Sequence, residues 1–429
     1  MVKVVVVGGG LAGCAAAAAA AKAGASVTLL ERMDVLGGLG LLTGMVDRRH
    51  FCVKEEIRLM GGYDVFQVID KCYLHDIHLP WPKPDGATHM IFDVIRLDSE
   101  LQKYLRGIGV EVRLMSRAKD VEMDGRAIKA VILDDKSKIE GNVFVDTTGG
   151  AGPMASCQRY GNGCAMCILR CPAFGDRVSI AQKAGVKELM GKRLDGSIGP
   201  MSAAYSLLKE SLAPQLRDEL ERVGYVIVPM PKELINYKRT ESITASGNID
   251  KGFAENVVLL DNGYAKRIAA GYTPLSELNK VPGLERARYA DPYAGGIGNA
   301  IRFQALTPRD DTLSVPGIEN LFVASEKLGV NGVPEVIITG VLAGHNAVRR
   351  AAGRVPLVLS KTTMMGAFIA FINERWNTEE GLTRRFCLWR GPFFQKAKEA
   401  GLYAEDKNVL RSRIEKEGLE DVFSRKIVS

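Results

Sequence analysis

Val4-Val5-Val6-Val7-Gly8-Gly9-Gly10-Leu11-Ala12-Gly13 runs from an apolar, β-branched segment straight into a glycine-rich turn. The valines read as a buried parallel strand, and the alanines from Ala12 onward as a helix that stops near Gly24. Ser26-Val27-Thr28-Leu29-Leu30 is a second strand with Glu31 at its end. Strand, Gly-x-Gly-x-x-Gly, helix, strand, acid is the βαβ unit that binds a dinucleotide. Gly8 permits the tight turn, Gly10 lets the backbone approach a pyrophosphate, and Gly13 lets helix and strand pack closely. The helix N-terminus at Leu11 and Ala12 offers unpaired amides and a positive dipole end to the phosphates. Glu31 is placed to accept hydrogen bonds from ribose hydroxyls, with Arg32 beside it, and Gly37-Gly38-Leu39-Gly40 turns the chain past the nucleotide again, making Gly38 a further contact.

The chain has 429 residues, enough for two or three domains, and its 46% apolar and 25% charged composition is that of an ordinary globular protein. No stretch approaches the roughly 20 apolar residues of a membrane span. The N-terminus enters a strand without a basic leader, so a cytoplasmic protein with no membrane association is expected. The net charge of +7 is compatible with an anionic cofactor or RNA and singles out neither. Eight cysteines in a cytosolic chain point to metal ligands, redox thiols or packing rather than a disulfide framework.

Residues 45–90 read as irregular, and Cys72, His75 and His78 there lack a clear fourth ligand for a metal. From Phe92 the pattern regularises. A helix presents Leu97, Leu101, Tyr104 and Leu105, and a strand covers Val110–Leu114. A hairpin follows around Asp124-Gly125, and Val143–Asp146 is a return strand ending in Thr147-Thr148-Gly149. This succession resembles the FAD-binding domains of two-dinucleotide-fold flavoproteins. That resemblance implies FAD contacts at Thr148 and Gly149, and an adenine-side backbone contact at Val121. Beyond the cysteines, helices are expected over Ser202–Leu212 and Pro214–Val223, with a strand at Tyr225–Val228. Asn320–Ser325 is a buried strand, Glu326–Pro334 a glycine-bearing loop and Glu335–Ala352 a helix whose N-terminus suits negative charge on a flavin ring. The last seventy residues read as amphipathic helices rich in Lys and Arg.

Lys280–Glu285, Glu319–Ala324, Gly329-Val330-Asn331-Gly332, Gly340–Ala347 and Thr362–Ala367 resemble the GidA/TrmFO family of FAD-dependent tRNA-modifying proteins. The resemblance implies flavin-side residues at Gly329, Gly332 and Glu335, with Glu326 and Val333 in the same loop. It also implies tetrahydrofolate and tRNA as candidate cofactor and partner. Phe51-Cys52-Val53-Lys54 does not match the family's cysteine context, so the flavin part carries over and the methyltransferase activity does not.

Cys157-x6-Cys164-x2-Cys167-x3-Cys171-Pro172 sets four thiols within fifteen residues. An iron–sulfur cluster, a structural zinc site, and a redox dithiol at Cys164 and Cys167 with Cys171 nearby are all open to it, beside plain packing. Cys14 and Cys387 read as packing residues. The expected fold is α/β: a two-dinucleotide-fold (Rossmann-like) FAD-binding domain from residues 1–50, 90–155 and 280–355. An inserted α+β substrate domain (156–279) and a C-terminal helical cap (356–429) complete it. The expected function is that of an FAD-dependent oxidoreductase with flavin N5 as redox or one-carbon centre, reduced by NAD(P)H as a small-molecule reductant. The alternatives are an iron–sulfur/flavin electron-transfer subunit serving a redox partner protein, and a tRNA-binding relative without methyltransferase activity.

Overall fold

A computed structural model describes residues 1–81, 86–149, 174–175, 178–192, 196, 205–237, 250–268, 273–290 and 305–429. Its central sheet holds five parallel strands, in the spatial order 111–113, 26–30, 3–7, 143–146, 321–323. Numbered along the chain this is 3-2-1-4-5, the order of a dinucleotide-binding half-sheet. The order reverses between β1 (Lys3–Val7) and the strand Val143–Asp146. Ligands of such sheets bind beyond the carboxyl ends of the strands at that reversal, here between Gly8 and Thr147.

Helix α1 (Leu11–Lys22) is buried from Leu11 to Ala20, hence its run of alanines. The long helix Val333–Ala351 lies directly on it. A Cβ on Gly340 would stand 2.2 Å from the Ala12 carbonyl oxygen, and one on Gly344 2.1 Å from that of Ala16. Two glycines four residues apart on one helix thus meet two alanines four apart on the other, and the backbones touch. The sequence pattern placed both helices, but not their contact.

Residues 45–90 are not irregular. Strands Met45–Asp47, Tyr73–Leu79 and Ala87–Phe92 form one antiparallel sheet, and helices Phe51–Leu59 and Asp64–Lys71 lie between the first two. Tyr73–Leu79 alternates at its far end, with Ile77 and Leu79 buried and His78 exposed, but its polar residues mask the period. Ser202–Leu212 is also not a helix as far as it is described. Tyr205–Leu207 is a strand paired with Ala265–Arg267, and Lys209–Ser211 is a single 3₁₀ turn. Cross-strand pairing in that four-stranded antiparallel sheet overrides the helix propensity of the alanine- and leucine-rich sequence.

Helices Met364–Arg375, Glu379–Thr383, Gly391–Glu399 and Lys407–Lys416 close the chain. Their anchor is Glu56, fully buried, which accepts from the Met364 and Met365 amides at 3.0 and 3.2 Å and from Arg413 at 2.9 Å. A helix N-terminus and a guanidinium share one carboxylate, so the C-terminal helices are held electrostatically to helix Phe51–Leu59. No helix among the described residues is long and apolar enough to cross a membrane.

The helix contact yields a paired prediction. Gly344→Ala should destabilise the protein by about 2–3 kcal/mol, because the new methyl meets backbone that cannot yield. The same substitution at Gly107, where a Cβ meets nothing within 4 Å, should be neutral or stabilising by up to about 1 kcal/mol. Urea unfolding of the two variants measures both signs.

Candidate functional site at the switch point

The carboxyl ends of β1 and Val143–Asp146 are tied by Thr147, whose hydroxyl donates to the Val7 and Gly8 carbonyls at 2.9 and 2.7 Å. Gly8 has φ +106°, and a Cβ on it would stand 2.5 Å from the Thr147 carbonyl oxygen. A Cβ on Gly13 would stand 1.8 Å from the Gly8 carbonyl oxygen. Both positions therefore require glycine for packing. Gly10 differs: a Cβ there would meet nothing within 4 Å. The space in front of Gly10 is open, at the N-terminus of α1. The first backbone bond of the helix runs from Cys14 to Gly10, so the amides of Leu11, Ala12 and Gly13 lie ahead of it. Buried Cys14 is held as a thiol, its pKa raised by burial and then by the Glu31 carboxylate.

Glu31 is buried and accepts from the Gly9 amide at 2.6 Å and the Met33 amide at 2.9 Å. Each oxygen keeps a second lone pair for a hydroxyl. The turn at Gly37-Gly38 rests on the glycine loop: Gly37 N–H donates to the Gly9 carbonyl at 2.8 Å, and a Cβ on Gly38 would stand 3.0 Å from Gly10 Cα. Arg32 donates to the Gly175 carbonyl. Thr148 turns inward, its amide and hydroxyl donating to Asp146 Oδ1 at 3.0 and 2.7 Å, and Gly149 follows at φ +80°. Val121 lies in the edge strand Ala118–Asp124, and its amide donates to Asp120 Oδ1 at 3.0 Å. Cys157, Cys164, Cys167 and Cys171 lie outside the described residues. Among the described residues, no three His, Cys, Asp or Glu side chains gather as a metal site, Cys72, His75 and His78 included.

Sequence reading missed a buried charge cluster behind this turn. Lys327 Nζ donates to Asp146 Oδ2 at 2.9 Å, to Glu188 Oε1 at 2.6 Å and to Ser179 Oγ. The Lys327, Asp146 and Glu188 side chains are each at most 1% exposed. Burial alone would lower the Lys327 pKa, but Asp146 and Glu188 raise it above the ordinary lysine value. Burial likewise works against the Asp146 carboxylate, yet Lys327 and the amides of Ala181 and Thr148 hold its pKa below the ordinary range. The only signal in the sequence was a lysine where the strand Leu321–Val323 runs into its loop.

That loop takes positive-φ backbone at three positions, only two of them glycine. Ser325 has φ +85°, Gly329 +80° and Gly332 +142°. Ser325 is buried, and its hydroxyl has no partner among the described residues. A non-glycine residue held in this region is a feature of functional turns. Glu326 is buried in the 3₁₀ turn Ser325–Leu328, and Val333 opens the long helix. The chain at Phe386 runs alongside the loop, its amide donating to the Gly329 carbonyl and its carbonyl accepting from Asn331, both at 3.0 Å. Two residues on, Leu388 N–H donates to Glu335 Oε1 at 2.7 Å. His50 contacts the same oxygen at 3.1 Å. Around them stand Asp47, His89, Cys387 and Trp389. Burial pushes the His89 pKa down to about 4 and the Cys387 thiol up to about 12, so both are neutral at neutral pH. Asp47 accepts two bonds from Arg49 and stays ionised, its pKa held low against the effect of burial.

An open glycine cradle at a helix N-terminus, with an acid at the end of the next strand, defines a dinucleotide-binding α/β protein. Residues 3–158 match the family model described as FAD dependent oxidoreductase, and residues 274–355 the one described as Glucose inhibited division protein A. Methylenetetrahydrofolate–tRNA-(uracil-5-)-methyltransferase TrmFO of Dictyoglomus thermophilum is 34% identical over 95 residues, 22% of this chain and 21% of that protein. tRNA uridine 5-carboxymethylaminomethyl modification enzyme MnmG of Geobacillus thermodenitrificans is 34% identical over 87 residues, 20% of this chain and 13% of that protein. The chain thus matches about a fifth or less of the length of these relatives. The crystal structure of Aquifex aeolicus GidA superposes with a TM-score of 0.64 at 19% identity, over 97% of this chain and 76% of that one. The chain is thus similar in its N-terminal part to FAD-dependent oxidoreductases and in its C-terminal third to GidA and TrmFO proteins, and it shares the GidA fold. The residues present fit that cofactor: nothing stands within 4 Å of a Cβ placed on Gly10, beside the free amides of the helix N-terminus, and Glu31 retains acceptor capacity for a ribose.

Lys327→Met should destabilise the protein by about 3–5 kcal/mol by leaving Asp146 and Glu188 without their counter-charge. Adding Glu188→Gln should recover part of the loss. The Asp146 pKa is depressed, so its stabilisation is full above the ordinary value of 3.8 and is lost as pH falls through the lower, folded value. The Lys327 pKa is raised, so its share persists up to the ordinary 10.5 and is lost as pH rises through the folded value. Urea midpoints of wild type and variant should therefore differ most above neutral pH, below the Lys327 pKa, and draw together as pH falls and the unpaired carboxylates of the variant take up protons.

Proposed function

We propose that this chain is an FAD-dependent oxidoreductase that uses a nicotinamide nucleotide as reductant. The observation that carries this is the open space at Gly10, walled by residues that must be glycine and overlooked by Glu31. The amides of Leu11, Ala12 and Gly13 would hold the pyrophosphate, Glu31 a ribose, and the N-terminus of helix Val333–Ala351 the polar edge of the flavin ring. Bound there, FAD supplies two-electron redox chemistry, and the protein's part is to orient it and exclude competing reactions. Only one dinucleotide fingerprint occurs in the sequence, so a nicotinamide would bind transiently against the flavin.

A second reading, modification of tRNA uridines with a folate one-carbon donor, rests on the names TrmFO and MnmG. One surface weighs against RNA at this face. A groove of about 740 Å³ beside Asp47 is lined by Arg48, Lys54, Arg58 and Lys407, but equally by Asp47, Glu55, Asp70 and Glu405. Arg48 pairs with Asp76, Lys54 with Asp70 and Arg58 with Glu55. Basic groups so engaged leave little field for a phosphate backbone.

An anaerobic absorption spectrum with iron and zinc assays on the same sample tests the oxidoreductase reading, and incubation with unmodified tRNA and methylenetetrahydrofolate tests the second. Flavin bands that bleach with NADH or NADPH support the oxidoreductase. A chain that takes up no FAD on reconstitution overturns it. Iron in quantity would move the cysteine cluster into electron transfer. Gly10→Val should fold with a stability within about 0.5 kcal/mol of wild type. Its FAD affinity should fall at least about tenfold, because the added side chain fills the pyrophosphate space. Equilibrium dialysis and urea unfolding separate the two effects.

A further inference from the structure

His50 and Glu335 cannot meet as they do without a proton between them. His50 Nδ1 lies 2.9 Å from the Asp47 carbonyl oxygen, which can only accept, so Nδ1 carries a hydrogen. Nε2 lies 3.1 Å from Glu335 Oε1. A neutral imidazole protonated at Nδ1 would turn a bare Nε2 toward a carboxylate, lone pair against lone pair. The contact is therefore imidazolium with carboxylate, or imidazole with carboxylic acid, and one proton is shared either way. Both side chains are buried, at 2% and 0% exposure, so water does not substitute for that proton.

The second oxygen shows where the pair faces. Glu335 Oε2 is buried and has no partner among the described residues. A Cβ on Gly332 would stand 2.1 Å from it, so the glycine keeps the approach to that oxygen free of a side chain. Gly332 belongs to the loop read from the sequence as the flavin loop. On the other side, Asp47 and Phe51, which flank His50 along the chain, line the groove of about 740 Å³. The pair thus stands between the cofactor loop and an opening to solvent.

We propose that His50 and Glu335 are the proton-handling pair of the redox centre, an inference that rests on the FAD reading. A nicotinamide reductant gives up a hydride, which carries two electrons and one hydrogen, and leaves oxidised. Full reduction of the bound ring needs one proton more. Glu335 passes the shared proton toward the Gly332 side, and His50 regains one from the groove. His50 acts through Glu335 and is a positioning residue, with Asp47 fixing its tautomer. The other charged or titratable groups around the pair are Arg49 and His89 on the strand side and Cys387 and Arg390 on the C-terminal side. His89 and Cys387 are neutral, which leaves the pair as the proton reservoir.

Two measurements test this. In the FAD-free chain at neutral pH, ¹⁵N histidine and ¹³C carboxyl NMR should show either a proton-bound His50 Nε2 or a protonated Glu335 carboxyl, and Glu335→Gln should leave His50 Nε2 as a bare acceptor. A bare Nε2 together with an ionised Glu335 carboxylate in wild type overturns the shared proton, whatever the cofactor. In the FAD-loaded chain, rapid reduction followed with a pH indicator should show proton uptake slowed at least about tenfold relative to flavin bleaching in Glu335→Gln and in His50→Asn, with the final uptake per two electrons unchanged. His50→Asn keeps a donor for the Asp47 carbonyl and guards against a folding artefact in the first variant. Unchanged uptake rates in both variants overturn the role. Failure to bind FAD with a normal NMR result would instead strike the FAD reading, and the redox role with it.

Discussion

Everything at the switch point depends on how closely two helices lie. Gly340 and Gly344 bring the helix Val333–Ala351 onto the carbonyls of Ala12 and Ala16, with no side chain between. A methyl group at either glycine would push apart the two helices that begin at Leu11 and Val333. The alanine run of α1 follows from the same constraint, because a helix covered by a sheet on one side and a helix on the other has room for small side chains only. The long helix comes more than 300 residues after the first strand, so the cradle is complete only when the ends of the sequence have met.

The second constraint is charge placed in the interior. Asp146, Lys327 and Glu188 form one buried group, and Glu56 with Arg413 another. Buried ion pairs contribute little net stability against well-packed apolar residues, but they punish misplacement heavily. Asp146 shows the use of that asymmetry. Its carboxylate accepts from Thr148, Ala181, Ser179 and Lys327, and its carbonyl from the Ala324 amide. One residue at the end of a central strand thus fixes both the turn at Thr148 and the end of the neighbouring strand at Ala324. A hydrophobic residue there could pack equally well without specifying any of these positions.

What the sequence revealed follows the range of the interactions. The βαβ unit was legible because its glycines, helix and acid act within about thirty residues, and Gly8 and Gly13 are packed as their spacing demands. The hairpin at Gly125 and the strand at Tyr225 were legible for the same local reason. The three-stranded sheet built from Met45–Asp47, Tyr73–Leu79 and Ala87–Phe92 was not, since its first pairing spans more than forty residues and His75, Asp76 and His78 interrupt the apolar period. Thr148 was legible as a turn residue, but the bond from its hydroxyl to Asp146 was not, because the strand pattern marked Asp146 only as buried. His50 carries no signature and Lys327 only its place after a buried strand, because their partners Glu335 and Asp146 lie 285 and 181 residues away.

The glycine cradle and the charged pairs also divide the chemistry between them. Binding a dinucleotide needs backbone amides and empty space, which glycine supplies, and such features recur across proteins that do different things with the same cofactor. Moving a proton needs side chains that can hold it in two places, and these come from elements that differ between such proteins. Here the strand Met45–Asp47 and the turn after it bring His50, the helix Val333–Ala351 brings Glu335, and the chain around Leu388 supplies the amide that fixes the carboxylate. The second and third are also the elements that line up along Gly329–Asn331. A displacement of the C-terminal helices would therefore reach the His50–Glu335 contact before it reached the glycine turn at Gly10. Cofactor affinity and proton transfer are in this sense separable properties of the fold, set by glycines at one end of α1 and by buried acids at the other side of the crevice.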